Sequence, residues 1–321
     1  MNNSPLITTG LPIALAIIMF GLGLTSTVVD FRRVARNPKA VAATAAVGAA
    51  VLALIAVPTA GAQPSPASGA RYVALGDSGA ATTGVLNIDP AAPLLCARST
   101  ANAPALIADA LGISYDDRTC SSAKIRDLTG RQSGVVPPQF EALGPDTEIV
   151  TLHIGANDAE MTKFIGSCHA AAVTGSCAAA ADPAWDAAID TIAPAYTSAL
   201  DEISRRAPKA EIFVDGWPTY FDPGTCSAMV GLLADDAAYI QSKFDRLNAV
   251  VSREATAHGA IYLDTRQAST GHGMCSAADT RWFDPVVGGD TMLPYHPTLV
   301  GHRGVAALIV ATIRSSDAVP R

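Results

Sequence analysis

The stretch YVALGDSGAA, residues 72–81, sets an apolar run directly against a polar turn. Tyr72 to Leu75 read as a buried strand. Gly76, Asp77, Ser78 and Gly79 supply good turn chemistry and leave a carboxylate and a hydroxyl at the strand's carboxyl end. A second run of the same design is EIVTLHIGAND (148–158), which ends in Asn157 and Asp158. AEIFVDGWP (210–218) and AIYLDT (260–265) read as two more strands, and a shorter one is expected near GISYDD (112–117). Between and after them, helical periodicity covers 101–112, 186–207 with Pro194 as a kink, 233–259 stopped by Gly259, and 300–316.

Strands alternating with helices predict a mainly parallel sheet covered on both faces, a three-layer α/β/α sandwich. Ligands of such sheets sit in the crevice at the carboxyl ends of the strands. Ser78 and Asn157 are therefore expected to converge there. No G-x-G-x-x-G follows a strand, so nucleotide binding has no support.

The bulk composition narrows the function further. Of 321 residues, 49% are hydrophobic and 16% charged, so the chain can bury a large core. The net charge of -7, with no basic run after residue 39, argues against nucleic acid as a partner. The six cysteines form no C-x-x-C pair, which weakens a zinc or redox reading. No metal and no cofactor is expected. An even count beside an export signal reads as three disulfides. Pairing neighbours in sequence closes the shortest loops and gives Cys96–Cys120, Cys168–Cys177 and Cys226–Cys275.

The amino terminus reads as a leader, residues 1–62, joined by a linker, 63–69, to a domain at 70–321. Leu11 to Val29 carry no charge and are about long enough to span a bilayer. Arg32, Arg33, Arg36 and Lys39 follow, then a second uncharged run from Ala40 to Ala62. Taken from Phe31, this is a signal peptide with Ala60-Gly61-Ala62 as its cleavage site. Taken whole, it is a membrane hairpin with a cytoplasmic basic loop. Either reading puts the domain outside the cytoplasm, secreted or anchored to the membrane. Residues 11–41 also resemble the amino-terminal helix of the bile acid:sodium symporter family. One helix cannot form a transport site, so no transport function follows.

A serine needs a base to become a nucleophile. Of the six histidines, His153 lies inside a strand and reads as core, and His258 ends a helix. His296 sits in LPYHPTLVGHRG (293–304), a loop before the last helix, whereas His302 falls at the helix start. His169 and His272 have no such setting.

GDSGA, GAND and YHPTLVGH occur in that order and resemble the blocks of the GDSL lipases and esterases, the SGNH hydrolases, a flavodoxin-like fold. CSSAKIRDLTG (120–130) and GHGMCS (271–276) fit further segments of the family. The resemblance spans about residues 70 to 315. It implies Ser78 as nucleophile and His296 as base. It implies an oxyanion hole made of the Ser78 and Ser122 N–H groups and the Asn157 side chain, which, unlike Asp, can donate.

Two positions depart from the family pattern. Ser122 stands where the family has glycine, and it strains the loop if that site needs positive φ. Leu293 stands where the family often has an aspartate that orients the histidine. The resemblance to secreted bacterial members offers the backbone carbonyl of Leu293 instead, giving a Ser–His dyad, with Asp290 as the alternative third member. Asp77 and Asp158 are expected to hold their loops. The resulting expectation is a carboxylic ester hydrolase acting on a lipid, a small acyl ester or an acetylated sugar. The alternatives are a carbohydrate O-acetyl esterase and a non-catalytic binding module of the same fold.

Overall fold

The computed structural model describes residues 69–82, 87–222, 224–291 and 293–316, all within a unit bounded by Pro66 and Arg321. The hydrophobic leader and its alternative readings lie outside the described residues.

Five strands form one parallel sheet: β1 (Tyr72–Gly76), β2 (Tyr115–Asp117), β3 (Ile149–His153), β4 (Glu211–Asp215) and β5 (Ile261–Leu263). Their order is β2-β1-β3-β4-β5. Every residue of β1 and β3 is buried, as expected for strands covered on both faces. The chain leaves β1 to one side for β2 and returns to the other side for β3. The strand order therefore reverses between β1 and β3, the place where open α/β sheets bind ligands.

The helices are α1 (Ser78–Ala81), α2 (Ala103–Leu111), α3 (Met161–Ala172), α4 (Ala184–Asp190), α5 (Ala193–Arg206), α6 (Ala234–Ala257), α7 (Thr265–Ala268) and α8 (Leu299–Ser315). α2 packs with α8, and α5 packs with α6. Local chemistry sets their ends. The Asn102 side chain accepts the Ala105 N–H at the start of α2, and Gly112 closes it in the left-handed conformation. Thr298 caps α8 by accepting the Gly301 N–H.

The single helix expected over 186–207 is two helices, α4 and α5. Pro194 lies at the amino-terminal start of α5, where its missing N–H costs nothing, so it begins a helix instead of kinking one. Disulfides join Cys96 to Cys120, Cys168 to Cys177 and Cys226 to Cys275. Among the described residues no helix is long and apolar enough to cross a membrane.

Candidate active site

β1 ends against its neighbour so closely that only glycine fits. A Cβ on Gly76 would stand 2.5 Å from the His153 carbonyl oxygen. The Gln139 side chain holds the same residue from both sides: it accepts the Gly76 N–H at 2.8 Å and donates to the Gly76 carbonyl at 2.9 Å. The next N–H, of Asp77, donates to the His153 carbonyl. The Asp77 carboxylate then accepts the Gly79 N–H at 2.9 Å and caps α1. These bonds fix the turn that presents Ser78.

His296 reaches that turn from the loop before α8. Its Nε2 lies 2.9 Å from Ser78 Oγ, across 218 positions of sequence. Its Nδ1 lies 3.0 Å from the Pro294 carbonyl oxygen. A carbonyl only accepts, so Nδ1 carries the proton and Nε2 presents its lone pair to the serine. Burial lowers the His296 pKa, against the pull of the Pro294 carbonyl, and keeps the ring neutral near pH 7.

The orienting carbonyl is thus that of Pro294 and not of Leu293. The Leu293 carbonyl instead accepts the backbone N–H of His296. Tyr295 lies in the left-handed region at φ 63, which turns the chain so that the ring folds back over Pro294. Asp290 does not face His296 either. Its carboxylate binds Arg281 at 2.9 Å, while its own N–H donates to the buried Asp284.

Asn157 follows β3 and donates through Nδ2 to the Ala123 carbonyl at 3.0 Å, which brings its amide to the 120–123 loop. Asp158 accepts the Ile125 N–H and ties the same two segments together. Cys120 anchors that loop by its disulfide and by its N–H, which donates to the Gly76 carbonyl. Ser122 adopts φ 63, a left-handed conformation that favours glycine. Among the described residues, the Ser78 and Ser122 N–H groups donate to no protein acceptor.

His302 is absent from this constellation. It is buried in the helix packing, where Nδ1 accepts the Ala103 N–H and Nε2 donates to the Thr82 carbonyl. Burial pushes its pKa down to about 4. His169 bonds the Tyr295 hydroxyl at 2.8 Å and so tethers the His296 loop to α3. His153 is buried as a core reading requires, but it is not passive. Its ring faces two carboxylates, Asp215 and Asp77, directly behind the Ser78 turn. Neither Gln139 nor the His153–Asp215 pair carries a sequence motif. A histidine and an aspartate at the ends of two strands are the only trace. No group of three or more His, Cys, Asp or Glu side chains among the described residues is arranged to hold a metal ion.

Residues 74–303 match the model of the GDSL-like Lipase/Acylhydrolase family. The chain belongs to this family. The hydrolase is 39% identical to Lipase 2 of Streptomyces coelicolor, over 83% of this chain and 93% of that one. It is 33% identical to Lipase 1 of the same organism, over 76% of this chain and 85% of the relative. Among solved structures it resembles phospholipase A1 from Streptomyces albidoflavus, with a TM-score of 0.62 and 30% identity, covering 76% of this chain and 99% of that chain. The hydrolase therefore has the three-layer α/β/α fold of this family and is an ester hydrolase.

Proposed function

We propose that this GDSL hydrolase cleaves carboxylic esters through a Ser78–His296 dyad, without a carboxylate third member. The 2.9 Å approach of His296 Nε2 to Ser78 Oγ carries the assignment. In the first step Nε2 takes the hydroxyl proton as Oγ bonds the ester carbonyl carbon. The carbonyl π electrons move to oxygen, and the oxyanion faces the N–H groups of Ser78 and Ser122 and the amide of Asn157. The intermediate collapses, the alcohol leaves with the proton from His296, and the acyl group stays on Ser78. Water then attacks the acyl-enzyme as His296 takes its proton; the Oγ–acyl bond breaks, the acid leaves, and His296 returns the proton to Ser78 Oγ. The Pro294 carbonyl accepts from Nδ1 and so holds the neutral ring in the required tautomer and the imidazolium in the same orientation.

The substrate class is the acyl ester of a lipid. Its support is the names of the relatives, two lipases and a phospholipase A1. The catalytic domain is residues 70–321, and it acts outside the cytoplasm. Three disulfides favour an oxidising compartment, and the S. rimosus relative of known structure is described as an extracellular lipase. A panel of p-nitrophenyl esters of rising acyl length, read with wild type and Ser78→Ala, tests the reading. Turnover by wild type with preference for longer acyl chains, abolished in the variant, is the expected result.

A further inference from the structure

We propose that His153 is a positioning residue for the hydrolysis: a buried imidazolium, clamped by Asp215 and facing Asp77, that braces the nucleophile turn and sets a positive charge behind it. The inference rests on the Ser78–His296 assignment and adds a charged layer beneath it.

The geometry is specific. His153 ends β3 and Asp215 ends β4, on adjacent parallel strands. Nδ1 of His153 lies 2.9 Å from Asp215 Oδ2 and 3.2 Å from the Asp215 carbonyl oxygen. Nε2 points the other way, 4.0 Å from Asp77 Oδ1. That same Oδ1 accepts the Gly79 N–H, so the imidazole sits behind the carboxylate that caps the turn. The other Asp77 oxygen is buried with no hydrogen-bond partner. The ring presses so close to the turn that a Cβ on Gly79 would lie 2.4 Å from Nε2. The second glycine of Gly-Asp-Ser-Gly is therefore required by the His153 ring, and the Trp217 ring covers a further side at 4.9 Å.

Two buried carboxylates flank one imidazole, and a charge count settles its state. A neutral ring would leave Asp77 and Asp215 as uncompensated buried anions, which is costly. A protonated ring donates to Asp215 through Nδ1 and sets its charge 4.0 Å from Asp77. Burial works against that charge, but Asp215 and then Asp77 carry the His153 pKa up to about 9. Burial lifts Asp77 to about 6, against the attraction of His153. The other titratable groups around this centre are Tyr72 on β1, Asp158 after β3, Tyr196 on α5, Tyr220 after β4, Tyr262 on β5, His296 on its loop and His302 on α8. None of them supplies a competing cation at neutral pH: the phenols are shifted upward and stay neutral, and both histidines are shifted downward.

The charge has a consequence for the base. A cation near His296 disfavours a second one, and His153 lowers the His296 pKa in this way. His296 accepts a proton only when neutral. Removing the His153 charge must raise the His296 pKa and move the acid limb of kcat/KM to higher pH.

The test uses the purified full chain and p-nitrophenyl ester hydrolysis from pH 5 to 9, comparing wild type with His153→Gln and Asp215→Asn. Both variants should shift the acid limb upward and lower kcat on the order of tenfold at pH 8, with KM little changed. In wild type, nitrogen NMR of labelled histidine should show one ring with both nitrogens protonated at pH 7.5. Its signal should vanish in His153→Gln and change to a neutral ring in Asp215→Asn. A neutral His153 in wild type overturns the proposal even if no variant folds. So does an unshifted acid limb with full kcat in a folded His153→Gln. Fluorophosphonate labelling keeps the two readings apart: label on a serine other than Ser78 defeats the dyad, whereas label on Ser78 with an unchanged pH profile in His153→Gln defeats only the role of His153.

Discussion

Nδ1 of His296 lies 3.0 Å from the carbonyl oxygen of Pro294, so a peptide group of its own loop orients the ring of the proposed base. Asp290 is committed to Arg281. Asp290→Asn should therefore change kcat by less than about threefold, far from the roughly ten-thousandfold loss seen when a triad acid is made an amide. Steady-state kinetics on the folded variant check this. The pH profile offers a second check. Because burial holds the His296 pKa below the ordinary imidazole value, activity should rise through an acid limb below pH ~6.5.

Ser122 occupies a left-handed conformation at φ 63. Ser122→Gly should remove a backbone strain of about 1–2 kcal/mol, partly offset by the greater freedom of glycine in the unfolded chain. A net gain of about 0.5–1 kcal/mol in urea unfolding, with activity retained, is expected. Loss of stability would mean that the serine hydroxyl supports the loop.

Asn157 is the side-chain amide assigned to the proposed oxyanion hole. Asn157→Ala should lower kcat by about a hundredfold to a thousandfold while leaving KM within a few-fold, the pattern of an interaction made in the transition state. A change confined to KM would place Asn157 in substrate binding.

How much of this was legible in the sequence follows from the range of each interaction. The apolar runs that end in Gly76 and Ile154-Gly155 announce strand ends, and the parallel pairing of those strands sets Ser78 and Asn157 at the same edge of the sheet. The helix α3 leaves no start signal in the sequence, because MTKFIGSCHAAA (161–172) follows a turn through left-handed Glu160, with no capping side chain to announce it. The orienting carbonyl lies one residue beyond the expected Leu293, since the left-handed turn at Tyr295 has no signature in its residue type. Gln139 grips Gly76 across 63 positions and His153 meets Asp215 across 62. Such pairs come from strand order and leave no local pattern.

His302 gives a prediction on stability. Its folded pKa, about 4, lies below the unfolded value of ~6.5. Between these values the unfolded chain binds more protons, so this residue's contribution is present above pH ~6.5 and is lost as pH falls through about 4. Fully expressed, it amounts to about 3 kcal/mol. Asp77 works with the opposite sign in part of this window, since its raised folded pKa, about 6, makes ionisation destabilising. The difference between wild type and His302→Gln isolates the histidine. That difference should shrink toward pH 4 in urea unfolding, while the variant keeps its esterase activity at pH 8. A difference independent of pH would show that His302 is not held neutral.

The central claim is that Ser78, activated by His296, is the nucleophile. Its most direct measurement is the site and rate of fluorophosphonate modification, read by peptide mapping of the intact enzyme at pH 8. One mole of label on Ser78, with the rate lowered on the order of a thousandfold or more in His296→Ala and little changed in His302→Ala, is the predicted result. Label on another serine, or an undiminished rate in His296→Ala, would contradict it.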